Sequence, residues 1–252
     1  MVSIPYSYSI FFDFIDSYLP SGFLKIKEDH PIMQRLDQVM EDNDQFITVA
    51  DLAQIKFLYV SKKIRQMIGV DPAQLNPEHF VEVTHPDDLG RLGLLRALTF
   101  KVEKEVRETQ KGSALASFSL RLRNPSGVYF KTLCQAYFFS SRIPQKKIYL
   151  IQVISNVDLY KIKKDRFHHY VGNDLSLFKF PDQKLLEIGP DLTYRELEII
   201  RLIESGLSSK EIADKLFLSV HTVNKHRSNI LEKSGKPQIS DLIYELKENG
   251  LL

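Results

Sequence analysis

Cysteine is nearly absent from this sequence of 252 residues, where Cys134 stands alone. A single thiol excludes an internal disulfide framework and any all-cysteine metal cluster, and it fits a reducing compartment, so a cytoplasmic location is expected. Long apolar runs are lacking too. The nearest approach, Ile10-Phe11-Phe12-Asp13-Phe14-Ile15-Asp16, is broken by two acids, follows no Lys or Arg, and is too short for a bilayer. That leaves a packed N-terminal helix and no membrane partner. Charge of one sign is not in excess, since 34 Lys and Arg against 32 Asp and Glu leave +2. Any nucleic-acid partner must therefore be argued from local charge. Motifs of catalysis are missing as well: there is no Gly-rich phosphate loop, no Gly-x-Ser-x-Gly elbow and no metal-spaced His-Glu pair, so no enzyme is expected.

What is present is an ordinary globular composition, 43% apolar and 26% charged, on a chain long enough for two domains. The texture changes near Asp158 to Pro190. Before it, alternation at period two dominates. Phe118, Leu120 and Leu122 alternate with Ser117, Ser119, Arg121 and Arg123, as a half-buried strand does. Asn124-Pro125-Ser126-Gly127 then makes a turn, so Val128 to Phe139 should return antiparallel, and Ile148 to Val157 supplies a third long strand. Phe46 to Ala50 and Lys56 to Val60 are two shorter strands. Between the groups, Ser61 is placed to cap a short helix that Gly69 stops. His85-Pro86-Asp87-Asp88-Leu89 opens a second helix, with Leu89, Leu92, Leu95, Thr99 and Val102 at helical spacing. One antiparallel sheet with helices over one face would bury such an order.

Residues 36–160 resemble a PAS domain. The residues that carry the likeness are Phe46-Ile47-Thr48-Val49-Ala50-Asp51, Tyr59-Val60-Ser61 leading to Met67-Ile68-Gly69-Val70, His85-Pro86-Asp87-Asp88, and the three long strands. The resemblance implies a sensory fold with a five-stranded sheet and a helical side that often encloses a small cavity. Residues 1–35 then form a helical extension, and 161–190 a linker rich in turn formers with a helix at its basic start, Lys161, Lys163, Lys164 and Arg166. The His168-His169 pair is expected to be solvated there rather than to bind metal, because adjacent side chains diverge.

From residue 191 the texture is all helix. Thr193 with Glu196, and Ser208 with Glu211, are capping boxes, Ser219 is a third N-cap, and Ser240 is placed to cap a fourth helix. Leu197, Ile200 and Ile203, then Ile212, Ala213 and Leu216, then Val220, Val223, Ile230 and Leu231, then Leu242, Ile243 and Leu246 form the inward stripes. From Ser219 to Lys236, four cations (Lys225, Arg227, Lys233, Lys236) against Glu232 give 4 − 1 = +3, while the rest of this segment is acidic. A short helix, a tight turn and a longer basic helix make the helix-turn-helix plan.

Leu192-Thr193-x-Arg195-Glu196, Gly206-x-Ser208-x-Lys210-Glu211-Ile212-Ala213, Leu218-Ser219-x-x-Thr222-Val223-x-x-His226 and Asn229-Ile230-x-x-Lys233 resemble the LuxR-type helix-turn-helix of bacterial transcription regulators, over residues 191–252. The resemblance implies homodimers on double-stranded DNA with the third helix in the major groove. RNA polymerase is an optional further partner. Asn224 stands where many members carry Lys or Arg, and an Asn side chain suits adenine where Lys suits guanine. Base contacts are expected from Asn224, Lys225 and Ser228, and backbone contacts from Lys210, Thr222, His226, Arg227 and Lys233.

The fold class expected is therefore α+β, a PAS-like five-stranded antiparallel sheet with helices on one face followed by a separate four-helix LuxR-type domain. The function expected is transcription regulation through a ligand or partner at the PAS-like domain. Two alternatives stay open: a phosphorylation-controlled regulator, and a PAS-like domain that serves only dimerisation or docking. Asp51 follows a strand as a phosphoacceptor would, but a second strand follows it at once, whereas a receiver alternates strand and helix. No cofactor is expected and the ligand site is unknown. Cys134 lies within a strand rather than in the helical motif of a flavin adduct, and His85, like His79, is no clear haem ligand. A small molecule in the PAS-like domain remains an option.

Overall fold

The computed structural model describes residues 8–109, 113–140, 147–160, 168–188, 192–248 and 252. Two helices open the chain, α1 (Ser9–Tyr18) and α2 (Pro31–Asp42). Strands β1 (Gln45–Asp51) and β2 (Lys56–Val60) follow, then α3 (Lys63–Ile68), α4 (Pro77–Val83) and α5 (Leu89–Thr109). Strands β3 (Ser113–Arg123), β4 (Tyr129–Ser140), β5 (Ile148–Asn156) and β6 (His169–Gly172) complete one sheet. After a single helical turn, α6 (Gln183–Leu186), the last four helices are α7 (Tyr194–Glu204), α8 (Ser209–Leu216), α9 (Val220–Ser234) and α10 (Ile239–Glu248).

The sheet order is β2-β1-β5-β4-β3-β6, and each described pairing is antiparallel. Strands β1 to β5 with α3 to α5 on one face reproduce what the PAS resemblance implies, five antiparallel strands and a helical side. The long hairpin forms in the expected register, Arg123 opposite Tyr129 across the Asn124–Gly127 turn. There Asn124 Oδ1 accepts from the Val128 N–H at 2.9 Å and Gly127 adopts φ +87°.

Two features differ from the expectation. The segment read as a linker contributes a strand, because β6 pairs with the outer edge of β3, Phe118 opposite His169. His168 and His169 are accordingly buried rather than solvated. His168 Nε2 lies 2.6 Å from Ser117 Oγ, and the Ser119 Oγ accepts from the His168 N–H at 3.0 Å. Burial, helped by His169, pulls the His168 imidazole down to about 4. The helix expected around Lys161, Lys163, Lys164 and Arg166 lies outside the described residues.

The second difference is that the sheet is covered on both faces. Alternation sorts the strands cleanly: Phe46, Ala50, Phe118, Leu120, Cys134, Leu150 and Ile154 face α3 to α5, while Ile47, Val49, Leu115, Phe139, Tyr149, Ile151 and Val153 face the other way. Helices α1 and α2 cover that second face with Ile10, Phe11, Phe14, Met33, Leu36 and Met40, each almost wholly buried. The N-terminal extension is thus part of the domain core. The near-continuous apolar runs in β1 and β5 are the signature of strands buried on both sides. Tyr8 extends the layer, donating to Gln135 Oε1 at 2.7 Å.

Local signals were not all used as expected. Ser61 does not cap α3. Its hydroxyl accepts from the Ile47 N–H at 3.0 Å and ties the helix approach to β1. His85 caps the short turn Pro86–Asp88 that leads into α5, its Nδ1 accepting from the Asp87 N–H at 3.2 Å, and its ring packs on Tyr129 with centroids 4.6 Å apart. His79 likewise closes a capping box with Asn76 at the start of α4. Asp51 is buried, with one oxygen accepting from the Ala53 and Gln54 N–H groups and the other 2.9 Å from Lys147 Nζ. It is a turn-forming, ion-paired side chain in an antiparallel sheet, which is not a receiver's geometry.

Candidate nucleic-acid interface and effector cavity

The last four helices form their own core from Leu197, Ile200, Ile212, Val223, Ile230 and Leu242. Three of the four expected caps act as the sequence indicates. Thr193 and Glu196 close one capping box and Ser208 and Glu211 another, and Ser219 Oγ accepts from the Thr222 N–H at 3.0 Å at the start of α9. Phe217, at φ +56°, makes the tight turn between α8 and α9, and Gly235, at φ +63°, ends α9. Ser240 is not a cap, because α10 begins one residue earlier, at Ile239. Val220, expected inward, is 42% exposed, since it is the first residue of α9 and precedes the turn whose Val223 reaches the core.

With Val223 and Ile230 committed to the core, the opposite face of α9 is fixed by helical spacing. Asn224, Lys225 and Ser228 are exposed there and make no hydrogen bond or ion pair among the described residues. His221 is exposed one turn earlier, three and four residues before Asn224 and Lys225. It is not among the expected base contacts, although the helical spacing that selects the other three extends back to it. Lys210 is exposed on α8, and Arg227 is half-buried. Thr222 shares its hydroxyl with Ser219 Oγ at 2.8 Å.

Two expected members of the site are less available. Lys233 Nζ lies 2.8 Å from both oxygens of Glu196, which is 2% exposed. Burial raises the Glu196 carboxyl, but the donors Lys233 and Thr193 outweigh it and hold the group below its ordinary range. This pair locks α7 to α9. His226 is half-buried, and its Nδ1 is enclosed with no hydrogen-bond partner among the described residues.

The family model described as "Bacterial regulatory proteins, luxR family" matches residues 190–245. The C-terminal domain is a LuxR-type helix-turn-helix. Among curated proteins, Fimbriae Z protein of Escherichia coli (strain K12) is 56% identical over 52 residues, covering 21% of this chain and 25% of that protein. Oxygen regulatory protein NreC of Staphylococcus aureus (strain JH9) is 48% identical over 61 residues, covering 24% and 28% respectively. The chain thus spans about a quarter of the length of these curated relatives. Among solved structures, a Vibrio cholerae VqmA dimer described with LuxR-type receptors is similar over 86% of this chain and 88% of its own, at 17% identity and a TM-score of 0.35. The PAS-B domain of Drosophila melanogaster Cycle is similar over 44% of this chain and 99% of its own, at 20% identity and a TM-score of 0.32. No helix among the described residues is long and apolar enough to cross a membrane.

The α3-to-α5 face of the sheet holds a cavity of about 320 Å³, at the small end of the range for ligand pockets. Of the stripe expected on α5, Leu92, Leu95 and Thr99 look into the space, together with Leu120, Cys134 and Leu150 from the sheet, while Leu89 is exposed at the helix start and the Val102 side chain lies outside the described residues. Burial in this apolar setting pushes the Cys134 thiol well above its usual range, so it is an inert wall rather than a nucleophile.

One turn of α5 connects this cavity to the LuxR-type domain. Arg91, next to the lining residue Leu92, is 3% exposed, and its Nη1 donates to the Ser119 carbonyl at 3.0 Å. Its guanidinium lies 5.2 Å from the ring centre of Tyr194, the first residue of α7, and that of Arg121 lies 5.4 Å from the same ring. Arg121 is held in turn by Asp88, Nη2 to Oδ1 at 2.8 Å. Burial raises the Asp88 carboxyl, but Arg121 and Arg91 bring it below its ordinary value. Arg201 on α7 is pushed down by burial and by the like charge of Arg91. The contact thus combines attraction at Tyr194 with repulsion between guanidiniums.

Proposed function

We propose that the chain is a transcription regulator that binds double-stranded DNA sequence-specifically as a homodimer and is controlled by a small molecule in the N-terminal cavity. The observation that carries the DNA reading is the LuxR-type match over residues 190–245, on which α9 presents an exposed polar face free of internal partners. In this reading Asn224, Lys225 and Ser228, extended by His221, read base edges in the major groove. Lys210, Thr222, His226, Arg227 and Lys233 contact the DNA backbone. His226 and Lys233 contribute least, because one ring nitrogen of the first is enclosed and the second is engaged with Glu196.

The cavity favours an effector over a docking module with a filled core. A ligand against Leu92 and Leu95 shifts α5, and Arg91 on the same turn passes that shift to Tyr194 and so to the orientation of the DNA-binding domain. Two such domains joined in a dimer gain affinity through effective concentration. In this reading the protein works in the cytoplasm, carries out no catalytic step, and contacts RNA polymerase if it activates.

The test is fluorescence anisotropy on a genomic fragment library across a salt series, beside a variant carrying Lys225→Ala and Arg227→Ala. Tight, selective, salt-dependent binding that the double change abolishes is expected. Selection on randomised DNA should show relaxed preference at one base position for Asn224→Ala. Binding that the double change leaves intact would sink the assignment of α9.

A further inference from the structure

The chemistry of the cavity wall narrows the class of its ligand, and this step rests on the reading of that cavity as the effector site. The interior offers almost no free polar group. Thr132 Oγ1 donates to the Leu120 carbonyl at 2.9 Å, and Thr99 Oγ1 donates to the Leu95 carbonyl at 2.8 Å. Gln152 Oε1 accepts from Thr48 Oγ1 at 3.3 Å, and its Nε2 faces only the Cys134 sulfur at 3.9 Å. Most of a ligand here meets hydrocarbon, so it must be apolar over most of its surface.

The charges on the wall are of one sign. Arg96 and Lys56 line the cavity, and no Asp or Glu does so among the described residues. Arg96 donates to the Pro77 carbonyl, and neither it nor Lys56 is ion-paired among the described residues. Both cations sit beside the outermost apolar lining. Arg96 is one helical turn from Phe100, which is 52% exposed, and Lys56 adjoins Ile55, which is 62% exposed. Lys56 stands opposite Asp51 in the β1–β2 register, but Asp51 is engaged with Lys147, so the mouth joins apolar rims to cations that make no ion pair among the described residues, over an apolar interior.

We infer that the cavity takes a small single-chain amphiphile with an anionic carboxylate head, the head at Arg96 and Lys56 and the chain against Leu120, Leu150 and Cys134. A guanidinium fork matches a carboxylate, and a small cavity excludes a two-chain lipid. The head at the mouth keeps one side in water, which avoids burying a charge, and the chain supplies the apolar burial.

The test uses the full chain with decanoate, decanol and decylamine, each below its micelle concentration, by isothermal titration calorimetry. Decanoate should bind at least tenfold more tightly than decanol, and decylamine most weakly. Arg96→Gln should weaken decanoate at least tenfold while leaving decanol within about twofold. Lys56→Gln, an exposed position that does not threaten folding, should weaken decanoate about threefold. Decanol binding as tightly as decanoate, or a decanoate-to-decanol ratio unmoved by both variants, overturns the carboxylate head and leaves the cavity as a site. Binding of none of the three overturns the single-chain class. Ala50→Leu, which pushes a larger side chain into the cavity, should weaken binding of all three at least tenfold. Affinities that Ala50→Leu leaves unchanged place the binding elsewhere, and it is then the reading of the cavity that fails.

Discussion

The two faces of the sheet are both buried, yet one is solid and the other hollow. Against α1 and α2, rings interlock: Phe14 lies 5.7 Å from both Phe23 and Tyr59, and Phe23 lies 5.2 Å from Tyr149. Against α3 to α5, aliphatic side chains together with Phe57, Phe80, Phe100 and Phe118 line a void of about 320 Å³. The same six strands serve both, so the difference lies in the helices and in which residues alternate inward. On the solid face rings pack ring against ring and fill the layer with rigid volume, whereas on the hollow face the side chains of sheet and helices do not meet across the middle and leave space that a ligand can take. The solid face anchors the N-terminal segment, and the hollow face can respond.

Four experiments break or sharpen that contrast. Phe14→Ala should cost the most, about 3–5 kcal/mol by chemical denaturation, because the ring is wholly enclosed and its neighbours are too interlocked to collapse. A loss below about 1 kcal/mol would mean that this face is not solid.

Next in size is a pH effect at the sheet edge, where His168 is held neutral down to about 4. Its folded value is lower than its unfolded one, so the unfolded state takes up a proton first as pH falls. Stability should therefore be full above about pH 6.5 and decline towards pH 4, by on the order of 3 kcal/mol. His168→Gln should flatten this part of the stability curve, and an unchanged slope would place the titration elsewhere.

Leu120→Ala, on the hollow face, should cost about 2 kcal/mol, at the low end for a buried leucine, because part of its surface already borders the void. Should it match Phe14→Ala, the two faces pack alike and the contrast fails. Tyr194→Ala should have the smallest effect, about 1 kcal/mol, through loss of the ring between two guanidiniums. Calorimetry should then resolve a separate transition for the LuxR-type domain, and a single unshifted transition would show that this ring does not hold the two parts together.

Much of this architecture is legible in the order of the residues. The capping boxes at Thr193 and Ser208, the stop at Gly235 and the outward face at Asn224, Lys225 and Ser228 are all set within one or two turns of helix, so short-range chemistry specifies them. The hairpin from β3 to β4 is equally local, fixed by its turn and its alternation. Misreadings arose where a long-range partner outcompeted a local one. Ser61 was drawn from its helix by the Ile47 amide, 14 residues away in sequence. His168 and His169 looked like solvated linker until β6 paired with β3.

By itself, then, the sequence determined the helix-turn-helix, its caps and its basic face, together with the strands and their alternation, because each depends on neighbours a few residues away. Tertiary structure alone decided the second covered face, the sixth strand, the cavity and the Arg91–Tyr194–Arg121 contact. Each of those joins residues far apart in the chain, and periodicity records which side of an element is apolar but not what fills the space opposite it.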